Sequence, residues 1–334
     1  MSATVRVFAV LSAVACATTL VSGRAGQQRP PFRAGVQVVT LDVLVREGNV
    51  PVGGLTPMDF DVTDNGVPQT VESVSIDTLP IDLSVVMDVS GSVQDMLAQL
   101  KKDANEARLM LRPDDQIRVV VFTDAVTQVS PFQPPSSELS LETLPAAGMT
   151  SIYDAVAAAL MRTRTPDRHE LCVLFTDGDD TSSTIGGATV LEIARRSDVI
   201  LQAFIVTPVP GGLPNLSGAG ARANATRGHW WRFRGEDLDV SRVWLDDAAT
   251  ITGGSLQTIV GEGHVPKGLS AAINELRTSY LLRYTATGVA QAGWHELKVK
   301  LKRPGRFTVR TRKGYFGGGT GQRGLAVAME RTDR

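Results

Sequence analysis

Residues 81–92 read IDLSVVMDVSGS, a mostly apolar run at 81–87 followed by Asp88, Ser90 and Ser92. Residues 93–111 then have apolar side chains at helical spacing, and this alternation recurs along the chain. Further apolar runs lie at 117–122, 171–175 and 199–206, with helical patterns at 151–162 and 189–197. Continuous apolar runs are typical of strands buried on both faces, and their alternation with helices predicts a parallel sheet between two helical layers. We therefore predict an α/β fold with a doubly wound, mostly parallel sheet.

The segments on either side of this core have the patterns of β-strands. Residues 38–45 alternate in polarity, and Asp64-Asn65-Gly66 lies between the strand-like runs 60–63 and 71–76, which predicts a hairpin of these two runs. Beyond the core, the runs at 280–284, 295–301 and 307–311 predict three more strands. We expect both flanks to form one composite β module. The predicted boundaries are 36–79 for the N-terminal β module, 80–254 for the core, 255–316 for the C-terminal β-rich segment and 317–334 for a flexible tail.

The amino-terminal residues have the pattern of an export signal. Residues 1–25 contain an early arginine, a short apolar run and small residues, so we predict a cleaved secretory signal followed by a linker at 26–35. The run is too short and too rich in Ala and Thr to span a membrane, so we expect an exported chain without a transmembrane segment. In the alternative, Cys16 becomes a lipid-modified first residue, although Ala13 replaces the leucine expected three positions earlier. If Cys16 is removed with the signal, Cys172 is the only cysteine of the mature chain. Its apolar neighbours predict a buried thiol.

Charge and motifs exclude several classes of function. The chain has 34 Lys and Arg against 35 Asp and Glu, so no general basic excess indicates a nucleic-acid partner. Its four histidines lack the paired spacing of zinc sites. Neither a Gly-x-Ser-x-Gly elbow nor a phosphate-binding Gly-x-x-x-x-Gly-Lys-Ser/Thr loop is present. Metal-dependent hydrolysis is the last-ranked alternative, because no residue is a stronger candidate for its general base than the predicted metal ligands themselves. We therefore expect a protein that is not an enzyme.

Oxygen-bearing side chains follow two core strands and precede one core helix. In open parallel sheets, ligands lie at the carboxyl ends of the strands, beside a topological switch point, so these loops are expected to converge. Mg²⁺ prefers six oxygen ligands at about 2.0–2.1 Å, of which only one or two are protein carboxylates. The predicted metal site consists of Asp88, Ser90, Ser92, Thr150 and Asp177. These five side chains leave one of the six coordination positions of the ion for a carboxylate of a partner. Because two aspartates only balance the charge of a divalent cation, the ion should still attract a further anionic ligand.

Three motifs resemble the metal-ion-dependent adhesion site of von Willebrand factor type A domains and integrin inserted domains. They are Asp88-x-Ser90-x-Ser92, Gly148-x-Thr150 and Thr176-Asp177-Gly178. The resemblance covers about residues 81–254 and implies Mg²⁺ or Mn²⁺ at the top of the sheet. It implies direct ligation by the two serines and Thr150, with the aspartates acting mainly through water. The implied function is adhesion-type protein binding, in which a partner Asp or Glu completes the coordination.

The flanks are similar to another domain. Residues 54–60, 64–66 and 310–316 resemble the von Willebrand factor A-related domain described in secreted acidobacterial proteins. This resemblance implies that both flanks belong to one recurrent unit. It implies no specific biochemical role.

Several alternatives remain at this stage. The chain could instead be a structural component of an envelope assembly, in which the metal only rigidifies loops and the β module makes the contacts. Trp230 and Trp231, on a long Gly-rich and Asn-rich stretch, could form a contact surface or cover an edge of the core. Residues 61–72 nearly fit a calcium-binding EF-hand loop, but the β-rich flanks favour a hairpin. Asp179 and Asp180 are interpreted as solvated or outer-sphere acids and are not predicted ligands.

Overall fold

The computed structural model describes residues 37–76, 79–90, 97–139, 141, 148–162, 165, 167–207, 235–260 and 265–318. Several predictions therefore lie outside the described residues and stay predictions. They concern the signal at 1–25 with Cys16, the linker at 26–35, Ser92, Trp230, Trp231 and the tail from 319 onward. Within the described ranges, no helix combines the length and the apolar character that a membrane span needs.

The described residues form strands and α-helices in the following order. The strands are β1 (Val38–Glu47), β2 (Val50–Pro51), β3 (Phe60–Asp64), β4 (Val67–Gln69), β5 (Val71–Ile76), β6 (Ile81–Asp88), β7 (Gln116–Phe122), β8 (Val126–Gln133), β9 (His169–Thr176), β10 (Ile200–Thr207), β11 (Ser255–Val260), β12 (Tyr280–Thr285), β13 (Gly293–Leu301), β14 (Phe307–Arg310) and β15 (Gly314–Gly317). The helices are α1 (Leu97–Arg108), α2 (Ile152–Leu160), α3 (Gly187–Arg196), α4 (Gly235–Thr252) and α5 (Val265–Arg277).

A six-stranded sheet forms the centre of the core, in the order β11-β10-β9-β6-β7-β8. Five strands run parallel, and the edge strand β8 pairs antiparallel with β7, so the sheet is mixed. The predicted α/β class is confirmed. From β6 the chain continues to β7 and β8 on one side of the sheet, and from β9 it continues to β10 and β11 on the other side. The carboxyl ends of the neighbouring strands β6 and β9 therefore flank the switch point, where ligands bind in open sheets.

Both faces of this sheet are covered by helices. Val85 and Met87 of β6 belong to the apolar cluster that includes residues of α1 and α5. Val86 belongs, with Cys172 of β9, to the cluster that includes residues of α2, α3 and α4. All residues of β6 and β9 are buried, including the charged Asp82 and Glu170, which both pair with Arg162. Cys172 is buried, as predicted.

Strands from both flanks of the core pair with one another in two further sheets. One sheet has the order β14-β1-β12-β5, with β2 paired to β1, and the other has the order β15-β13-β3-β4. They share one apolar core, to which β1 contributes Val39, Leu41, Val43 and Val45. We refer to these two sheets as the β module. Its strands come from chain segments that the whole core separates.

The Asn-Gly turn connects β3 to β4, so a hairpin forms at the predicted turn. Its second strand is β4, however, and the run at 71–76 that was predicted for this role forms β5 and pairs with β12 in the other sheet. Asn65 and Gly66 have φ angles of 47° and 81°, the left-handed conformations that a two-residue hairpin turn requires. Asp64, just before the turn, is buried in the β module and bonded there. The predicted turn and its first strand are therefore confirmed, and the strands on both sides of the turn favour a hairpin over a calcium-binding loop.

Asp64 is the centre of a buried polar cluster in the β module. Its Oδ2 atom accepts hydrogen bonds from the hydroxyls of Tyr284, at 2.9 Å, and Tyr315, at 2.7 Å. Its Oδ1 atom lies 2.8 Å from Nδ1 of His295. All four side chains are inaccessible to solvent. Because they come from β3, β12, β13 and β15, the cluster joins both flanks of the chain.

The core continues beyond the predicted boundary at Gly254. Strand β11 pairs with β10 as the edge of the core sheet, and α5 packs against the same sheet. We therefore place the end of the core after α5. Neither β11 nor β8 shows a continuous apolar run, because each is a partly exposed edge strand.

Ion pairs connect the β module to the core. Glu275 of α5 pairs with Arg46, at 3.2 Å, and with Arg310. Arg312 pairs with Asp198, which lies just before β10, at 2.7 Å. This junction therefore lies near the amino-terminal ends of the core strands. The predicted metal site lies at the opposite, carboxyl-terminal ends of the core strands.

Candidate metal centre

Asp88 is the last residue of β6, and the protein fixes both oxygens of its carboxylate. The amide of Ser90 donates a hydrogen bond to Oδ1 at 3.0 Å, and the hydroxyl of Thr176 donates to Oδ2 at 2.8 Å. Thr176 ends the neighbouring strand β9, and Asp177 follows it directly. The parallel pairing of β6 with β9 thus brings Asp88 and Asp177 to the same edge of the sheet.

The electrostatics of Asp88 favour a bound cation. Only 1% of this residue is exposed to solvent. Burial, together with the nearby carboxylate of Asp177, raises the pKa of Asp88 to about 6, although hydrogen bonds from Ser90 and Thr176 oppose the rise. Among the described residues, neither carboxylate forms an ion pair with Lys, Arg or His. A divalent cation would neutralise this uncompensated pair, so the donor set fits a metal.

Thr150 is held against the loop that follows Asp177. Its amide donates to the hydroxyl of Thr181 at 2.9 Å. Its carbonyl accepts the amides of Thr181 and Ser182 at 2.8 and 3.0 Å. Only 6% of Thr150 is exposed. These bonds join two of the three predicted metal-binding loops.

The residues beside Thr150 are held by the turn between β7 and β8. Ser151 donates to the carbonyl of Thr123 both from its amide, at 3.0 Å, and from its hydroxyl, at 2.6 Å. The amide of Met149 donates to Oδ1 of Asp124 at 2.6 Å. The turn after β7 therefore supports the predicted site, although it supplies none of the predicted ligands.

Four of the five predicted ligands thus belong to loops that meet at the carboxyl-terminal edge of β6, β7 and β9. The first loop also bonds to β7, because the amide of Val89 donates to the carbonyl of Phe122 at 3.0 Å. Within the described part of the chain, no three His, Cys, Asp or Glu side chains are grouped to hold a metal. A cation at this edge would therefore need hydroxyl ligands beside its two carboxylates, which is a donor set suited to Mg²⁺.

Asp180 has a structural role beside the site. Its Oδ1 atom accepts hydrogen bonds from the hydroxyl of Ser183, at 2.5 Å, and the amide of Tyr153, at 3.3 Å. Tyr153 lies in the first turn of α2, so Asp180 helps to satisfy an amide that the helix leaves unbonded. Asp180 is thus partly buried and hydrogen-bonded, where the sequence was interpreted as giving a solvated acid.

Sequence reasoning did not identify two supporting residues. Thr176 lies within a quoted motif, but its hydrogen bond to Asp88 depends on the alignment of two strands. Asp124 lies in an ordinary turn, and its partner Met149 is distant in the sequence. The polarity pattern contains no signal for such a contact.

Comparisons with known proteins give partial similarities of fold. No family model and no curated protein matches the chain. The protein BatB from Bacteroides thetaiotaomicron is 15% identical, covering 59% of this chain and 98% of that chain, with a TM-score of 0.39. Proximal thread matrix protein 1 from the mussel byssus, with a zinc-occupied metal-ion-dependent adhesion site motif, is also 15% identical, covering 61% and 49%, with a TM-score of 0.41.

A von Willebrand factor type A protein from Catenulispora acidiphila is 12% identical, covering 85% of this chain and 75% of that chain, with a TM-score of 0.43. Proteins with this type of domain are thus among the structural neighbours.

Proposed function

We propose that residues 80–277 form a doubly wound domain of the von Willebrand factor A type that binds one Mg²⁺ or Mn²⁺. The observation that carries this proposal is the buried carboxylate of Asp88. It lies beside Asp177 without a compensating positive side chain among the described residues. Ser90 and Thr150 would add hydroxyl oxygens from adjacent loops. Ser92, which lies outside the described residues, completes the predicted ligand set.

The bound ion would serve to bind a partner protein. Two carboxylates only balance the charge of a divalent cation, so the ion would keep its affinity for a further anionic ligand. An Asp or Glu of the partner would occupy the remaining position. Met149, directly before Thr150, is 53% exposed, so an apolar side chain is available to a partner beside the site. We propose this adhesion-type role for an exported chain and propose no enzymatic activity.

Metal titration tests the proposed site directly. Isothermal calorimetry of the mature protein with Mg²⁺ or Mn²⁺ should give one binding event, which Asp88→Ala should abolish. Asp114→Ala is a matched control, because this exposed carboxylate precedes β7 at the opposite end of the strand. It should leave the affinity unchanged. Equal affinity in the wild type and in Asp88→Ala would contradict the assignment.

Chelation separates the adhesion role from the structural alternative. If the ion coordinates the partner, capture of envelope proteins should be lost with EDTA and restored by Mg²⁺ or Mn²⁺. If the metal only rigidifies loops and the β module makes the contacts, capture should survive EDTA. Asp88→Ala should then behave like the chelated wild type in both cases, which controls for effects of EDTA on the extract.

A further inference from the structure

The turn between β7 and β8 carries an exposed carboxylate that bonds to a distant part of the backbone. The turn is closed by a hydrogen bond from the amide of Thr123 to the carbonyl of Ala125, at 3.1 Å. Asp124 lies between them and is exposed. Its Oδ1 atom nevertheless accepts the amide of Met149 at 2.6 Å. A hydrogen bond to an ionised acceptor is shorter and stronger than one between neutral groups.

The second oxygen of Asp124 packs against Gly148. This glycine has a φ of +111°, a conformation that other residues rarely adopt. A Cβ atom there would lie 2.9 Å from Oδ2 of Asp124 and 3.3 Å from Cβ of Thr123. The close approach therefore depends on glycine. It places one carboxylate oxygen against Gly148 while the other holds the next amide.

Thr150 follows within the same short segment. The amides of Met149, Thr150 and Ser151 each donate to a different acceptor, namely Asp124 Oδ1, Thr181 Oγ1 and the carbonyl of Thr123. Two of these three acceptors belong to the turn after β7. The backbone at Thr150 is therefore positioned by the turn on one side and by the loop after Asp177 on the other.

We propose that Asp124 is a positioning residue of the metal centre. Its carboxylate holds residues 148–150 in the conformation that lets the hydroxyl of Thr150 join Asp88 and Ser90 at the ion, and Asp124 itself does not contact the metal. This inference rests on the proposed function. Mg²⁺ tolerates little departure from octahedral geometry, so the position of a single hydroxyl affects affinity. Residues that orient metal ligands typically change metal affinity by about 10–100-fold when replaced.

Calorimetric titration with Mg²⁺ tests this role with two substitutions at one position. Asp124→Ala removes the acceptor and should weaken binding by about 10–100-fold. Asp124→Asn removes the charge but keeps an oxygen that can accept the Met149 amide, so it should retain affinity within about threefold of the wild type. Asp114→Ala removes an exposed charge elsewhere and should have no effect.

Hydrogen exchange supplies a readout that does not depend on the metal. In the metal-free protein, Asp124→Ala should speed the exchange of the Met149 amide, and Asp124→Asn should largely restore its protection. If the wild type binds Mg²⁺ and Asp124→Ala binds it equally well, the positioning role is refuted while the metal site stands. Equal weakening by Ala and Asn would indicate a charge effect and would also refute it. If the wild type itself does not bind Mg²⁺, both the proposed function and this inference fail.

Discussion

Replacing Tyr315 by phenylalanine should destabilise the protein through the loss of a single buried hydrogen bond. The hydroxyl of Tyr315 donates to Oδ2 of Asp64 at 2.7 Å, and both side chains are fully buried. Burial, together with the Asp64 carboxylate, raises the pKa of Tyr315 above its usual range, so the hydroxyl stays protonated as a donor. Phenylalanine keeps the ring and its packing against His295, so no substantial cavity forms.

The expected loss follows from the charge of the acceptor. A hydrogen bond to a charged group contributes about 1.5–3 kcal/mol, against about 0.5–1.5 kcal/mol for a neutral pair. Tyr315→Phe should therefore cost about 1.5–3 kcal/mol in the wild type. In the Asp64→Asn background, the acceptor is a neutral amide oxygen. The same substitution should then cost about 1 kcal/mol less.

A double-mutant cycle measured by urea unfolding checks this magnitude. Trp294 packs against Phe316 within the β module, with ring centroids 5.4 Å apart, so its fluorescence should report the unfolding of the module. Tyr284→Phe is a matched comparison, because its hydroxyl donates to the same Oδ2 atom at 2.9 Å. If Tyr315→Phe costs the same free energy in both Asp64 backgrounds, the hydroxyl does not depend on an ionised carboxylate, and the reasoning is refuted.

Three further predictions concern other parts of the protein. Gly148→Ala should destabilise the folded protein by about 1–3 kcal/mol, because the φ of this residue is +111° and the new Cβ atom would lie 2.9 Å from Oδ2 of Asp124. Thermal unfolding measures this loss, and an unchanged melting temperature would argue against the strain. Burial raises the pKa of the Cys172 thiol to about 12, so a thiol reagent near neutral pH should label Cys172 only when urea unfolds the protein. Hydrogen bonding to Arg303 holds the pKa of Asp59 below its usual range, so this contact stabilises the fold above about pH 4 and its contribution is lost as the pH falls further. In Asp59→Asn, the free energy of unfolding should accordingly fall less steeply below about pH 4 than in the wild type. The same pH dependence in both proteins would contradict a stabilising contact between Asp59 and Arg303.

The central strands of the core were predictable because burial on both faces of the sheet requires mostly apolar residues in sequence. In β6 and β9 every residue is buried, so the mostly apolar runs 83–87 and 171–175 identify these strands. The edge strands β8 and β11 have one neighbour and exposed residues, so their composition resembles that of loops. The predicted end of the core at Gly254 therefore fell before β11.

The candidate ligands could be proposed from the sequence for a related reason. Asp88 and Asp177 lie at the ends of predicted parallel strands, and such ends meet at one edge of a sheet. The supporting contacts depend on distances between loops, which polarity patterns do not encode. Asp124 and Thr181 show this limit, because each holds the segment around Thr150 from a different loop.

The pairing of β1 with β12 has a consequence for the order of events during synthesis. Val38 lies opposite Thr285, so β1 emerges from the ribosome long before its partner. At about 5–20 residues per second, the delay is roughly ten to fifty seconds. During this interval the backbone groups of β1 lack their final partner strand and could pair with another nascent chain. A transcript truncated before Tyr280 would leave that state permanent, and its product should aggregate even if the core folds.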